Sequence, residues 1–147
     1  DRTMPAFPDQ LTAEDSALVA AADALLPLVR EQMDRQAFHE ALRLIWQVVA
    51  DANRYVDAAA PWALKKTDPV RMAEVLAVLA ETIRQVAILI QPVMPLSANL
   101  ILDQLSVDKA ERDFRYISGN VRLVSGHQIG KPSPVFPRYL DEARADG

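Results

Sequence analysis

The sequence predicts an all-α fold, a helical bundle of about four to five helices followed by an irregular C-terminal tail. Three observations predict it. Apolar residues recur near the 3.6-residue helical period through the first two-thirds of the chain. Capping and proline signals, Thr12 with Asp15, Pro61, Asp68-Pro69 and Pro92 with Pro95, punctuate those periodic stretches where helices should start and stop. From Ser106 the pattern becomes charged and irregular, with Gly119, Gly126, Gly130, Pro132, Pro134 and Pro137.

The elements follow in order. Residues 1–11, with Pro5 and Pro8, read as an extended lead-in. Thr12 and Asp15 form a capping-box pattern that opens a first helix to about Asp34, with Leu18, Val19, Ala22, Leu25, Leu26 and Val29 on the period. Pro27 should kink this helix or break it in two. A second helix runs from about Gln36 to Ala60 on the stripe Phe38, Leu42, Ile45, Val49, Ala52, Val56 and Ala59. At 1.5 Å per residue it is roughly 37 Å long, and Pro61 ends it by disfavouring helical geometry at Ala60. Asp68-Pro69 supplies a cap and a first-turn proline for a third helix to about Gln91. Val70, Val75, Leu76, Leu79 and Ile83 make its first half amphipathic. Val86 to Ile90 is apolar all round and should be central. Pro92 and Pro95 end it, and Ser97 caps a short fourth helix through Ile101 and Leu105. Residues 1–107 are thus read as the bundle and 108–147 as a tail expected to pack back on it or on another domain.

Composition narrows the function. A chain of 147 residues can bury one core without metal or disulfide help, and without cysteine it has no disulfide framework and no thiolate zinc site. With His39 and His127 as the only imidazoles, no metal is expected. Half the residues are hydrophobic, yet no apolar run reaches the roughly 18 to 20 residues of a membrane span, so a soluble protein is expected. A net charge of −4 argues against broad attraction to phosphates, so a nucleic-acid role would need a local site. The chain opens on Asp1-Arg2-Thr3 with neither an initiator Met nor a basic-then-apolar leader, and a piece of a longer protein is expected.

Catalytic motifs fail on spacing. Gly126 and Gly130 are separated by three residues where a phosphate loop needs four, and Lys131 is followed by Pro132, not Ser or Thr. His39-Glu40 begins like a zincin helix but carries Arg43 where the second His belongs. No catalytic residue is assigned. The remaining concentration of unusual residues is Asn53 to Lys66, where Asn53, Arg54 and Asp57 approach the end of a long helix and Pro61, Trp62, Lys65 and Lys66 follow. Two readings of it stand side by side. Trp62 plugs the core, Asn53 and Asp57 bond each other or cap the break, and the lysines are solvated; or Trp62, held on a rigid Pro61 corner, offers its ring to a planar ligand with Lys65 and Lys66 near its phosphates.

The segment ANRYVDAAAPWALKK, residues 52–66, closely resembles the signature of the helical anticodon-binding domain of methionyl-tRNA synthetases. PDQLTAED (8–15), FHEAL (38–42), ETIRQVAILIQPVMP (81–95) and GKPSPVFPR (130–138) are similar to the same family, so the resemblance covers essentially the whole chain. It implies a cytoplasmic protein in which a Rossmann-type catalytic domain uses ATP, with magnesium, to join methionine to its tRNA while the bundle holds the CAU anticodon. By this resemblance Trp62, with Pro61, stacks on an anticodon base. Asn53, Arg54 and Asp57 orient that corner, and Lys65 and Lys66 support it. The partners implied are methionine-specific tRNA and the catalytic domain; no membrane is implied.

Two departures matter. The HIGH-like and KMSKS-like motifs of the catalytic domain are not in this sequence, so the fragment holds no cofactor and should not aminoacylate. The family's preceding helix, whose Asn and Arg bond anticodon bases, is also missing. Weak tRNA binding with little anticodon preference is therefore expected, together with an apolar groove where that helix would lie and a docking surface after about Val107. The alternatives are a helical protein-interaction module and the equivalent domain of a synthetase for another hydrophobic amino acid.

Overall fold

The computed structural model describes residues 2–117 and 121–137. Six α-helices follow one another: α1 (Ala13–Asp23), α2 (Leu25–Asp34), α3 (Phe38–Ala59), α4 (Pro61–Thr67), α5 (Pro69–Ile90) and α6 (Pro95–Gln104). Two short 3₁₀ turns, Lys109–Glu111 and Phe114–Tyr116, complete the regular structure. Among the described residues there is no strand, only an isolated antiparallel bridge between Thr3 and Gln128.

The all-α expectation holds, with local differences. The first predicted helix is two, and the break falls at Ala24, not at Pro27. Pro27 is the third residue of α2, where its missing N–H is one of the orphan donors of a helix start, so the chain interrupts the helix upstream of the proline. Residues 61–67 form a helix of their own, because Pro61 is well suited to a first helical position. Pro95 likewise begins α6, which places Ser97 inside that helix and not at its cap. The stripe on α3 is wider than its period suggested. Ala41, Ile45, Val48 and Tyr55 are buried, while Phe38 and Trp46 of the same apolar face are exposed.

The central helix is α5, packed against α1, α3, α4 and α6. Its end is the driest part of the molecule: Ala87, Ile88, Leu89 and Ile90 are all buried, as an all-round apolar segment requires. Val70, Leu76 and Ile83, predicted for its apolar stripe, are exposed, whereas Val75 is buried and Leu79 half-buried. One core cluster joins Leu25, Leu26, Ile45, Val48, Ile88 and Leu102, and a second joins Leu18, Val19, Tyr55, Val75 and Val78.

The segment after α6 is tied down by arginines. Arg84, buried on α5, donates to both carboxylate oxygens of Glu81 and to the carbonyls of Tyr116 and Val121. Arg122 reaches back to Asp23 and Glu81 and lies 4.8 Å over the Phe7 ring. Gly126 has φ +77 in a turn, and the chain that follows is extended, with Gln128 bridging Thr3. Gly119, Arg138 and residues 139–147 of the predicted tail lie outside the described residues.

Candidate nucleic-acid interface

The corner between α3 and α4 is built from one residue. Ala60 takes a left-handed conformation, φ 44 and ψ 60, and serves both helices: its N–H bonds to the Val56 carbonyl, and its own carbonyl accepts from Ala63 and Leu64. Pro61 is buried at the start of α4. Trp62, next to it, is 65 % exposed, so it is not a core plug. Lys65 and Lys66 stand three and four residues on, the spacing that puts side chains on one helix face, and both are exposed. They also occupy the last turn of α4, where cations complement the helix dipole. The result is an exposed indole followed at helical spacing by two exposed lysines, on a short helix at one corner of the bundle.

The other three predicted residues are not brought to that corner by hydrogen bonds. Arg54 pairs with Asp51 one turn before it. Asn53 and Asp57 are exposed, and the Asn53–Asp57 bond expected from their spacing is not among the hydrogen bonds of the described residues. Asn53 and Arg54 in fact line different clefts, because adjacent helical positions point about 100° apart.

On one side of α3 a cleft of about 770 Å³ opens between α1, α3, α4 and α5, with Asp51, Arg54, Tyr55, Leu64 and Arg71 in its lining. Behind it lies a cluster that sequence reading did not find. Asp15 is fully buried; Arg71 donates to both its oxygens at 2.7 Å and Tyr55 donates at 2.6 Å. Burial pushes the Asp15 carboxyl up, but the bonds from Arg71, Tyr55 and the Thr12 N–H outweigh it and hold the group well below the usual carboxylate range. Burial and the same carboxylate push the Tyr55 hydroxyl far up. The only sequence signal for this clamp was the Thr12–Asp15 cap. Its partners lie 40 and 56 residues away.

On the other side of α3 runs an apolar groove of about 390 Å³, lined by Trp46, Val49 and Val56 of α3, Ile83 and Val86 of α5, and Ile101 of α6. Phe136 of the C-terminal segment also lines it, over the part of the α3 apolar face that the other helices leave open. No group of three or more His, Asp or Glu side chains placed to hold a metal occurs among the described residues.

Comparison with known proteins gives a consistent result. A family model described as the anticodon binding domain of methionyl tRNA ligase matches residues 5–146. The methionine–tRNA ligase of Rhizobium meliloti (strain 1021) is 53 % identical over 130 residues, 88 % of this chain and 25 % of that protein. The corresponding enzyme of Mycobacterium tuberculosis (strain H37Rv) is 43 % identical over 144 residues, 95 % of this chain and 27 % of its own. The crystal structure of the free M. tuberculosis methionyl-tRNA synthetase superposes with a TM-score of 0.90 at 41 % identity, covering 96 % of this chain and 29 % of that one. The same enzyme in complex with methionyl-adenylate gives 0.89 at 42 % identity, covering 94 % and 27 %. The chain thus spans about a quarter of the length of the curated relatives it matches.

Proposed function

Because this chain belongs to the family of methionyl-tRNA ligase anticodon-binding domains, we propose that it holds the CAU anticodon of methionine-specific tRNA within a cytoplasmic enzyme that ligates methionine to that tRNA. The observation that carries the reading is Trp62, a large aromatic left 65 % exposed beside Lys65 and Lys66. A bare indole stacks on any base, and the ammonium groups meet the adjoining phosphates. Pro61 fixes the start of the helix that presents them. Asn53, Arg54 and Asp57 act on this corner only through the helix that carries them. ATP and magnesium would be held by the catalytic domain, which supplies adenylation of methionine; the residues here contribute binding.

The apolar groove between α3 and α5 supports a second part of the proposal. The family's preceding helix seats there, bringing its base-reading side chains beside α3. Stacking alone lacks the base-edge hydrogen bonds, supplied by that helix, that confer discrimination. The stacking element by itself therefore binds tRNA weakly and with little anticodon preference. A competition in which it strongly prefers CAU over other anticodons overturns this.

The test is a titration with a CAU anticodon stem-loop, followed by Trp fluorescence at two salt concentrations, beside Trp62→Phe. Trp46 is itself half-exposed, so the variant separates the two indoles. Salt-sensitive quenching in the wild type that is lost in Trp62→Phe is expected. Quenching that persists in the variant, or binding indifferent to salt as in apolar docking of a protein partner, refutes the assignment.

A further inference from the structure

The direction in which Trp62 faces is decided two residues earlier. On α3 the bundle-facing positions are Ala41, Ile45, Val48 and Tyr55, with Ala52 and Ala59 partly buried between and after them. These steps of three and four continue naturally to position 62. Were Ala60 right-handed, α3 would run on and the stripe would carry Trp62 towards the bundle. The left-handed turn at Ala60 interrupts the stripe instead, buries Pro61 and turns Trp62 outward together with Lys65 and Lys66.

Nothing about Ala60 favours that conformation locally. The left-handed region is disfavoured for any residue with a Cβ, and a residue before proline is driven towards extended geometry. Alanine is moreover the strongest helix former. The conformation is imposed by its surroundings. Ala60 closes α3 through its N–H and opens α4 through its carbonyl, while Leu64 packs against the Leu18, Val19 and Tyr55 cluster. Strained backbone maintained in this way belongs with functional geometry.

We propose that Ala60 is a positioning residue for anticodon stacking: its left-handed backbone aims Trp62 and the two lysines at the RNA. This rests on the stacking role given to Trp62 above. Residues that accept a left-handed backbone are therefore tolerated at position 60, and those that resist it are not. The order for RNA binding is Gly and Asn at least equal to Ala, with Val far worse. A residue that merely continued a helix would rank differently, with Ala best and Gly worst.

The experiment measures affinity for the CAU anticodon stem-loop, thermal midpoint and acrylamide quenching of Trp62 in a Trp46→Phe background. It compares Ala60→Gly, Ala60→Asn, Ala60→Val and Trp62→Ala. Ala60→Gly and Ala60→Asn are expected to keep or tighten binding, keep or raise the midpoint and leave quenching unchanged. Ala60→Val is expected to change quenching and to lose binding towards the Trp62→Ala level, about 5 to 150-fold. If Trp62→Ala does not weaken binding, the stacking reading itself fails. If Trp62→Ala weakens binding but Gly and Asn weaken it as well, the proposal is overturned, whether or not the Val variant folds.

Discussion

Replacing Asp15 with Asn tests the buried clamp that fixes α1 and α3 against α5. The variant keeps the shape and one acceptor oxygen but removes the charge that two Arg71 nitrogens meet at 2.7 Å. Breaking a fully buried pair costs about 3–5 kcal/mol, because the remaining charge stays desolvated. Here the Arg71 side chain is 22 % exposed and keeps Glu74 at 3.2 Å, so the lower figure of ~2–3 kcal/mol applies. For a chain of this size that lowers the thermal midpoint by about 4 to 12 °C. Denaturant unfolding followed by circular dichroism at pH 7 reads the loss directly. The pH dependence is a second check. A carboxylate whose folded pKa is depressed contributes stability above its unfolded value, near 3.9, and loses that contribution as pH falls below it. The gap between wild type and variant is therefore full at pH 6 and narrows from about pH 4 towards pH 2. A loss under about 1 kcal/mol at pH 7, or a gap that does not narrow in acid, would refute the account of the clamp.

Three further outcomes are expected. Trp62→Ala in the full-length enzyme weakens the tRNA-dependent step by about 1–3 kcal/mol, 5 to 150-fold, and spares methionine activation, as adenylate formation and aminoacylation assays will show; loss of both steps would mean misfolding. Glu81→Gln, which takes the carboxylate partner from the buried Arg84 while Arg122 keeps Asp23, costs about 3–5 kcal/mol and exposes residues 121–137 to limited proteolysis. Gly130→Ala puts a Cβ 3.2 Å from the backbone of Gln104, so that the last turn of α6 must shift by a few tenths of an ångström, and costs about 1–3 kcal/mol by thermal unfolding.

Much of the bundle was legible in the sequence because it rests on local rules. Thr12 and Asp15 do cap α1 reciprocally, and Asp68 with Pro69 does open α5. Both are contacts within one turn, where spacing alone fixes geometry. The apolar run ending α5 is buried from Ala87 to Ile90, as a segment without a polar face requires, while Val86 is half-buried and lines the groove. Proline was harder to place. Pro27, Pro61 and Pro95 all sit in first turns, and only the competition between ending one helix and beginning the next decided where each break fell.

The signature around Pro61 and Trp62, and with it the family, was likewise set by residue identity and order. Spacing could not say which way the indole points. Counting in steps of three and four from Tyr55 and Ala59 would put Trp62 on the bundle-facing stripe, whereas with Ala60 left-handed it lies on the surface. Nor could spacing reveal that Asp15, Tyr55 and Arg71 converge, or which half of the α3 apolar face stays uncovered. The sequence determined most of the helical spans, the caps at Thr12 and Asp68 and the chemical types at the corner, because those depend on neighbours within a turn. Only the tertiary structure decided exposure, the buried charge partners and the open groove, because each depends on which distant helices pack together and on one backbone angle that local preference opposes.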